Sequence, residues 1–258
     1  MRRRAPAALA LFAALALATS AAQGERTQRG NLIVSINGGI VPRKLPRDHP
    51  APVAIRLEGE VRSADGSPVP RVRKVELGLA GHGLLFTRGL PVCPRTRLRN
   101  ASNRQAIERC ASALVGRGRL DAQVFVPHQA PFEIHTHLLA FNGRTKKGGT
   151  AVWVHAFATN PPVSIVLPFV VRRRAGAFHT ALVIAIPRSV GPLPHLARFQ
   201  ITLSRRFTYR GRRRSYLSAS CPVPPRFTAG FLSFARATYS FADGRRLRAE
   251  TVRSCRAR

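Results

Sequence analysis

Carboxylates are scarce in this chain. Of 258 residues, 11 are Asp or Glu against 43 Lys and Arg, and no acid occurs between His135 and Ala242. Glycosidase chemistry needs two carboxylates facing one bond, and nothing in the spacing of the acids marks such a pair. Lysine is also rare, confined to Lys44, Lys74, Lys146 and Lys147. None of them precedes Ser or Thr, so there is no P-loop. Gly-x-Ser-x-Gly and His-Glu-x-x-His are absent, which removes the nucleophile elbow and the helical zinc-protease pattern. Gly116-Arg117-Gly118-Arg119-Leu120-Asp121 begins like a dinucleotide fingerprint but lacks its third glycine and follows a helical segment rather than a strand. There is no Cys-x-x-Cys, and so no support for a redox motif or zinc knuckle. No apolar run approaches the ~20 residues that a spanning helix needs.

What is present is positive charge, formally +32 at pH 7 and nearly all of it arginine. Such a charge attracts anionic partners. A GC-rich coding sequence would favour Arg over Lys, but it does not account for the missing acids. Residues 1–22 read as a secretory signal peptide. Arg2, Arg3 and Arg4 form a positive n-region, Pro6 to Ala18 an uncharged apolar stretch, and Thr19-Ser20-Ala21-Ala22 a small-residue cleavage site. Cleavage after Ala22 would leave 236 residues at +29. That length buries a sizeable core, as one unit or as two closely packed subdomains divided near 91–120. Cys93, Cys110, Cys221 and Cys255 then read as disulfides, since the even count falls in an exported chain. Three pairings are open, and the local one, Cys93 with Cys110 and Cys221 with Cys255, is the simplest.

The dominant pattern along the chain is period-2 alternation. It predicts strands at 32–36, 53–61, 72–79, 123–126, 132–141, 151–158, 164–171, 178–186, 198–209, 215–220, 237–241 and 247–252. Asp65-Gly66 and Asp243-Gly244 are hairpin signals. One helix is expected. Ser102 and Gln105 form a capping box, Ala106, Ile107, Cys110 and Leu114 recur at helical spacing, and Gly116 closes the segment. The fold class is therefore mainly β, an antiparallel β-sandwich or open barrel with one short disulfide-pinned helix.

Several local strings carry a resemblance: Leu90-Pro91-x-Cys93-Pro94, Cys110-Ala111-x-Ala113-Leu114-Val115-Gly116-x-Gly118, Leu139-Ala140-Phe141-Asn142-Gly143 and Tyr216-Leu217-Ser218-Ala219-Ser220-Cys221-Pro222. With these the chain resembles a family of exported, β-rich proteins of high-GC actinobacteria. The resemblance implies export and recurrent cysteines. It implies no activity and no catalytic residue.

Two clusters are candidate sites. Glu133-x-His135-x-His137 places three metal-ligand types on one face of a strand. His155 on the next strand is expected to join them, and zinc or copper would suit such a set. The plainer reading is a polar solvent face, so no metal and no cofactor is assigned. The second cluster is a hairpin with Arg205, Arg206, Arg210, Arg212, Arg213 and Arg214 interleaved with Phe207, Tyr209 and Tyr216. Its predicted strand aligns Phe199, Ile201, Leu203, Phe207 and Tyr209 on one face. Arginine forks suit phosphate, sulfate and carboxylate, and basic residues beside aromatics suit polyanions. Charged residues also serve simply to protect a strand edge. The functional expectation is a non-enzymatic, exported protein that binds an anionic polymer or surface of the cell envelope. Export argues against genomic DNA, and no transmembrane segment is expected. The alternatives are a metal-binding protein or metal-dependent enzyme using the histidines, and a structural envelope module without a specific ligand.

Overall fold

A computed structural model describes residues 25–124, 128, 132–160, 162–186 and 194–258. The segment read as a signal peptide, 1–22, lies outside the described residues. The described residues begin with β1 (Arg26–Arg29), β2 (Leu32–Val41), β3 (Lys44–Leu45), β4 (Ala51–Pro52), β5 (Ala54–Ser63), β6 (Val72–Leu79) and β7 (Gly83–Leu85). Two helices follow, α1 (Arg95–Leu98) and α2 (Asn103–Cys110). Next come β8 (Leu114–Val124), β9 (Phe132–Arg144), β10 (Thr150–Thr159), β11 (Pro162–Arg173), β12 (Thr180–Ala185) and β13 (Pro194–Leu203). The chain ends with β14 (Arg206–Tyr209), β15 (Arg212–Ser215), β16 (Leu217–Ala219), β17 (Ala229–Phe241) and β18 (Arg246–Ala257).

Thirteen strands make one sheet in the order β1-β2-β5-β13-β8-β9-β10-β11-β12-β6-β17-β18-β3. All pairings are antiparallel except β3 beside β18. The sheet curls until its first strands meet its last. Thr27 Oγ1 donates to the Arg248 carbonyl at 2.5 Å, Thr251 Oγ1 donates to Glu25 at 2.7 Å, and Arg253 pairs with Glu25 and donates to the Gly38 carbonyl. The result is the open barrel among the expected architectures. The inward faces of β2, β5, β6, β10, β12 and β17 supply a large inner core that includes Val34, Leu57, Leu77, Val154, Ile184 and Tyr239. A small sheet, β4-β16-β7, packs with the buried Tyr216 over one end.

A second core lies outside the barrel, where the helices cover β9 and β10. Leu98, Ala106, Leu139, Phe141 and Trp153 are buried there. Hydrogen bonds lock it. Trp153 Nε1 donates to the Cys93 carbonyl at 2.9 Å, and Asn142 Nδ2 donates to the Pro91 carbonyl at 3.0 Å. The Cys93–Cys110 disulfide ties α2 to the loop before α1, and Cys221–Cys255 ties the chain after β16 to β18. The capping box forms as expected. Ser102 Oγ accepts from the Gln105 amide at 3.3 Å, and Gln105 Oε1 accepts from the Ser102 amide at 2.9 Å.

Three local expectations are corrected. The helix does not run to Gly116. It stops at Cys110, a single 3-10 turn spans Ala111–Ala113, and β8 starts at Leu114. Gly116 and Gly118 are strand residues facing β13, where a Cβ on Gly118 would stand 2.0 Å from the Gln200 carbonyl oxygen. Those glycines permit a close backbone approach and cradle no phosphate. Asp65-Gly66 does turn, with Gly66 at φ 74°, but it joins β5 to β6, which are not neighbours in the sheet. Asp243-Gly244 is the hairpin expected, between β17 and β18. The strand read at 198–209 is broken at Ser204-Arg205, and β14 leaves to pair with β15 in a separate two-stranded sheet.

Candidate functional site

The arginine hairpin is built on a two-residue turn. Tyr209 pairs with Arg212, and the residues between them, Arg210 and Gly211, have φ values of 50° and 70°. Positive φ at both central positions is the geometry whose twist matches the flanking strands. Phe207 faces Arg214, and Tyr209 faces Arg212, so these four side chains share one side. That side rests on Phe86, whose ring lies 6.1 Å from those of both Phe207 and Tyr209. The Arg214 guanidinium sits 5.5 Å above Phe86, and that of Arg210 5.4 Å above Tyr209. Each such contact is worth about 0.5–1 kcal/mol at an exposed position. Gly89 lets the preceding turn lie against the Tyr209 ring. Its φ is 77°, and a Cβ there would stand 2.0 Å from the ring. Arg206 and Arg213 project from the opposite side of the hairpin.

Arg206, Arg210, Arg212, Arg213 and Arg214 are exposed, and none makes an ion pair among the described residues. Arg205 differs. It is half-buried, and its Nε is enclosed with no hydrogen-bond partner among the described residues. The break before β14 causes this, because Arg205 lies at the joint, where its carbonyl accepts from the Tyr216 amide at 2.7 Å. The alignment expected of Phe199, Ile201 and Leu203 with Phe207 and Tyr209 fails for the same reason. The first three line the barrel interior, whereas Phe207 and Tyr209 pack against Phe86, Phe207 also touching the edge of the main core. The acids do not offset the hairpin. All but Asp65 pair with basic side chains elsewhere, and Asp65 is held by Ser63, Ser67 and Asn31. Those hydrogen bonds, that from Ser63 first, keep the Asp65 carboxyl far below the usual carboxylate range.

Sequence reasoning missed Phe86 and Arg88. Arg88 is exposed in the turn that touches Tyr209 and makes no ion pair among the described residues. The only local signal was an aromatic and an arginine next to a turn glycine, Phe86-Thr87-Arg88-Gly89.

The histidine face does not assemble as expected. His135 is exposed, its Nδ1 2.8 Å from Asp121 and its Nε2 3.6 Å from Glu133. The hydrogen bond to Asp121 raises its pKa. His137 is exposed beside it. His155 shares their side of the sheet but lies beneath the helical cover, fully buried. Its Nε2 donates to the Ala101 carbonyl at 2.9 Å and lies 3.2 Å from Ser164 Oγ. Burial lowers its pKa. Among the described residues no three His, Cys, Asp or Glu side chains are grouped closely enough to hold a metal ion. No described helix is long and apolar enough to cross a membrane.

No protein-family model, no curated protein and no solved structure matches this chain.

Proposed function

We propose that this is an exported, non-enzymatic protein that binds an anionic polymer or surface of the cell envelope through the hairpin bearing Arg205, Arg206, Arg210, Arg212, Arg213 and Arg214. One observation carries the reading. Five of these arginines are exposed on a ring-backed hairpin with no carboxylate partner among the described residues. Unneutralised guanidinium forks of this kind match phosphate, sulfate or carboxylate oxygens. The half-buried Arg205 positions the hairpin's base, and binding falls to the other five and to Arg88.

The test is salt-dependent binding to polyphosphate. Replacing Arg212, Arg213 and Arg214 by Ser leaves the fold intact, because all three side chains are exposed. The magnitude of the slope of log K against log salt should fall by about 2, at ~0.7 for each phosphate that the protein no longer neutralises on a single-stranded polyanion. The control replaces Arg62, Arg246 and Arg248, exposed residues of β5 and β18, removing the same charge. Equal weakening in both triple variants would mean diffuse attraction rather than a site.

A further inference from the structure

The inside of the barrel is not filled. A cavity of about 160 Å³ lies among side chains from eight strands, β5, β6 and β8 to β13. Its walls are apolar except for one residue, Arg71, which precedes β6. Protein interiors are normally packed with few voids larger than a water molecule. Water held in a cavity needs two to four polar partners, and this wall offers only Arg71. The side chains of Leu120, Leu167, Phe169 and Phe199 face the cavity and are still half-exposed, so the space is reachable from outside. Arg71 makes no side-chain hydrogen bond or ion pair among the described residues. Only its carbonyl is engaged, accepting from the Ala242 amide at 2.8 Å. The nearby Asp243 is already taken by Arg245.

An apolar space of about 160 Å³ is comparable to cavities that take a ligand the size of benzene, and with one unpartnered cation in its wall it has the complementarity of a small single-chain amphiphile. We propose that the lumen binds a short-chain fatty acid the size of hexanoate, its alkyl chain among Leu120, Val154, Leu167, Phe169, Ile184 and Phe199 and its carboxylate on Arg71. The aliphatic walls take the chain without leaving a polar group unpaired. The Arg71 fork takes both carboxylate oxygens, the geometry in which arginine binds carboxylates most strongly. The inference does not depend on the arginine hairpin.

The experiment is calorimetric titration of the delipidated, purified protein with hexanoate and with methyl hexanoate. Hexanoate should bind saturably at one per chain. Arg71→Gln should weaken hexanoate by about tenfold or more, the effect of removing a charge-assisted hydrogen bond, and leave the ester unchanged. Ala156 is buried on the lumen wall, so Ala156→Phe should abolish binding of both ligands. Should that variant not fold, Leu167→Trp occupies the same space from the more exposed β11 and is read in its place. The triple hairpin variant should bind hexanoate like the parent protein, which separates lumen binding from general attraction to a cationic surface. No saturable binding, or undiminished binding with the lumen blocked, overturns the proposal. Equal weakening of acid and ester by Arg71→Gln overturns the placement of the carboxylate.

Discussion

Replacing His155 by Leu tests whether the helical layer is seated on β10 as described. The ring is fully buried, its Nε2–H is spent on the Ala101 carbonyl, and Nδ1 is enclosed with no partner among the described residues. A second proton would place charge on a nitrogen with no acceptor. His155 therefore stays neutral in the fold, with its pKa below the ordinary value because burial disfavours the charged ring. In the unfolded chain it titrates near ~6.5. A depressed folded pKa means that the unfolded state binds the extra proton, so the stability contribution is intact above ~6.5 and is lost as the pH falls below it. The limiting slope is about 1.36 kcal/mol per pH unit, or up to about 2 kcal/mol between pH 6.5 and 5. His155→Leu abolishes the titration and leaves the buried Ala101 carbonyl unpaired, at a cost of about 1–3 kcal/mol at pH 8. The assay is urea unfolding of both proteins, disulfides intact, at pH 8, 7, 6 and 5. The gap between them should be widest at pH 8 and close towards pH 5. His135 titrates in the opposite sense. Its raised pKa adds stability below the unfolded value that is lost as pH rises through the folded one, but it is common to both proteins and cancels. A gap that stays constant from pH 8 to 5 would refute the buried, neutral ring and the packing of α2 over it.

Two further outcomes follow from the framework. Non-reducing peptide mapping should join Cys93 to Cys110 and Cys221 to Cys255 with no free thiol. Removing the first pair, which spans 17 residues, should cost about 3 kcal/mol and release amide protection in α2 before it does so in β5 or β13. Gly118→Ala sets a Cβ against the Gln200 carbonyl and has no rotamer to relieve it. It should cost about 1–3 kcal/mol and lower Tm by about 2–4 °C per kcal/mol in a chain of this size, whereas Gly148→Ala, where nothing lies within 4 Å of the added carbon, costs only the strain of its positive φ.

Features set by neighbours in sequence were legible. Alternation placed β6 at Val72–Leu79 to the residue, and Ser102 with Gln105 placed the start of α2. Cysteines a few turns apart paired locally, and Asp243-Gly244 turned where it was read. Features set by distant neighbours were not legible. β5 and β13 lie side by side, with Glu60 opposite Arg198, and nothing in either segment names the other. This is also why Asp65-Gly66 looked like a hairpin. The turn chemistry was right, and the partner strand was elsewhere. His155 was given its correct face of the sheet, but alternation cannot show that a helix pinned by Cys93–Cys110 covers that face. The hairpin's charge was visible, yet its division into two sides was not, because the break at Ser204-Arg205 resets the alternation. Alternation likewise put Phe199, Ile201 and Leu203 on one face but could not show how completely that face is packed.

Strand direction separates the two proposed sites. Leu203, the last residue of β13, pairs with Ile55 near the start of β5 and with Gly116 near the start of β8. The hairpin that follows therefore stands at the end of the barrel from which β8 emerges after the helices. Arg71 stands at the other end, because Val72 pairs with Phe241 beside the Asp243-Gly244 turn. Asp121 and Glu133 also belong to that end, near the close of β8 and the start of β9. Asp121, Glu133 and Asp243 thus lie towards the Arg71 end, while the exposed arginines of the hairpin at the far end have no carboxylate partner among the described residues. Held to an anionic surface by the hairpin, the protein would keep the Arg71 end directed away from that surface. The lumen would then stay open to a fatty acid arriving from solution, and the two sites could be filled together without competing for the same face.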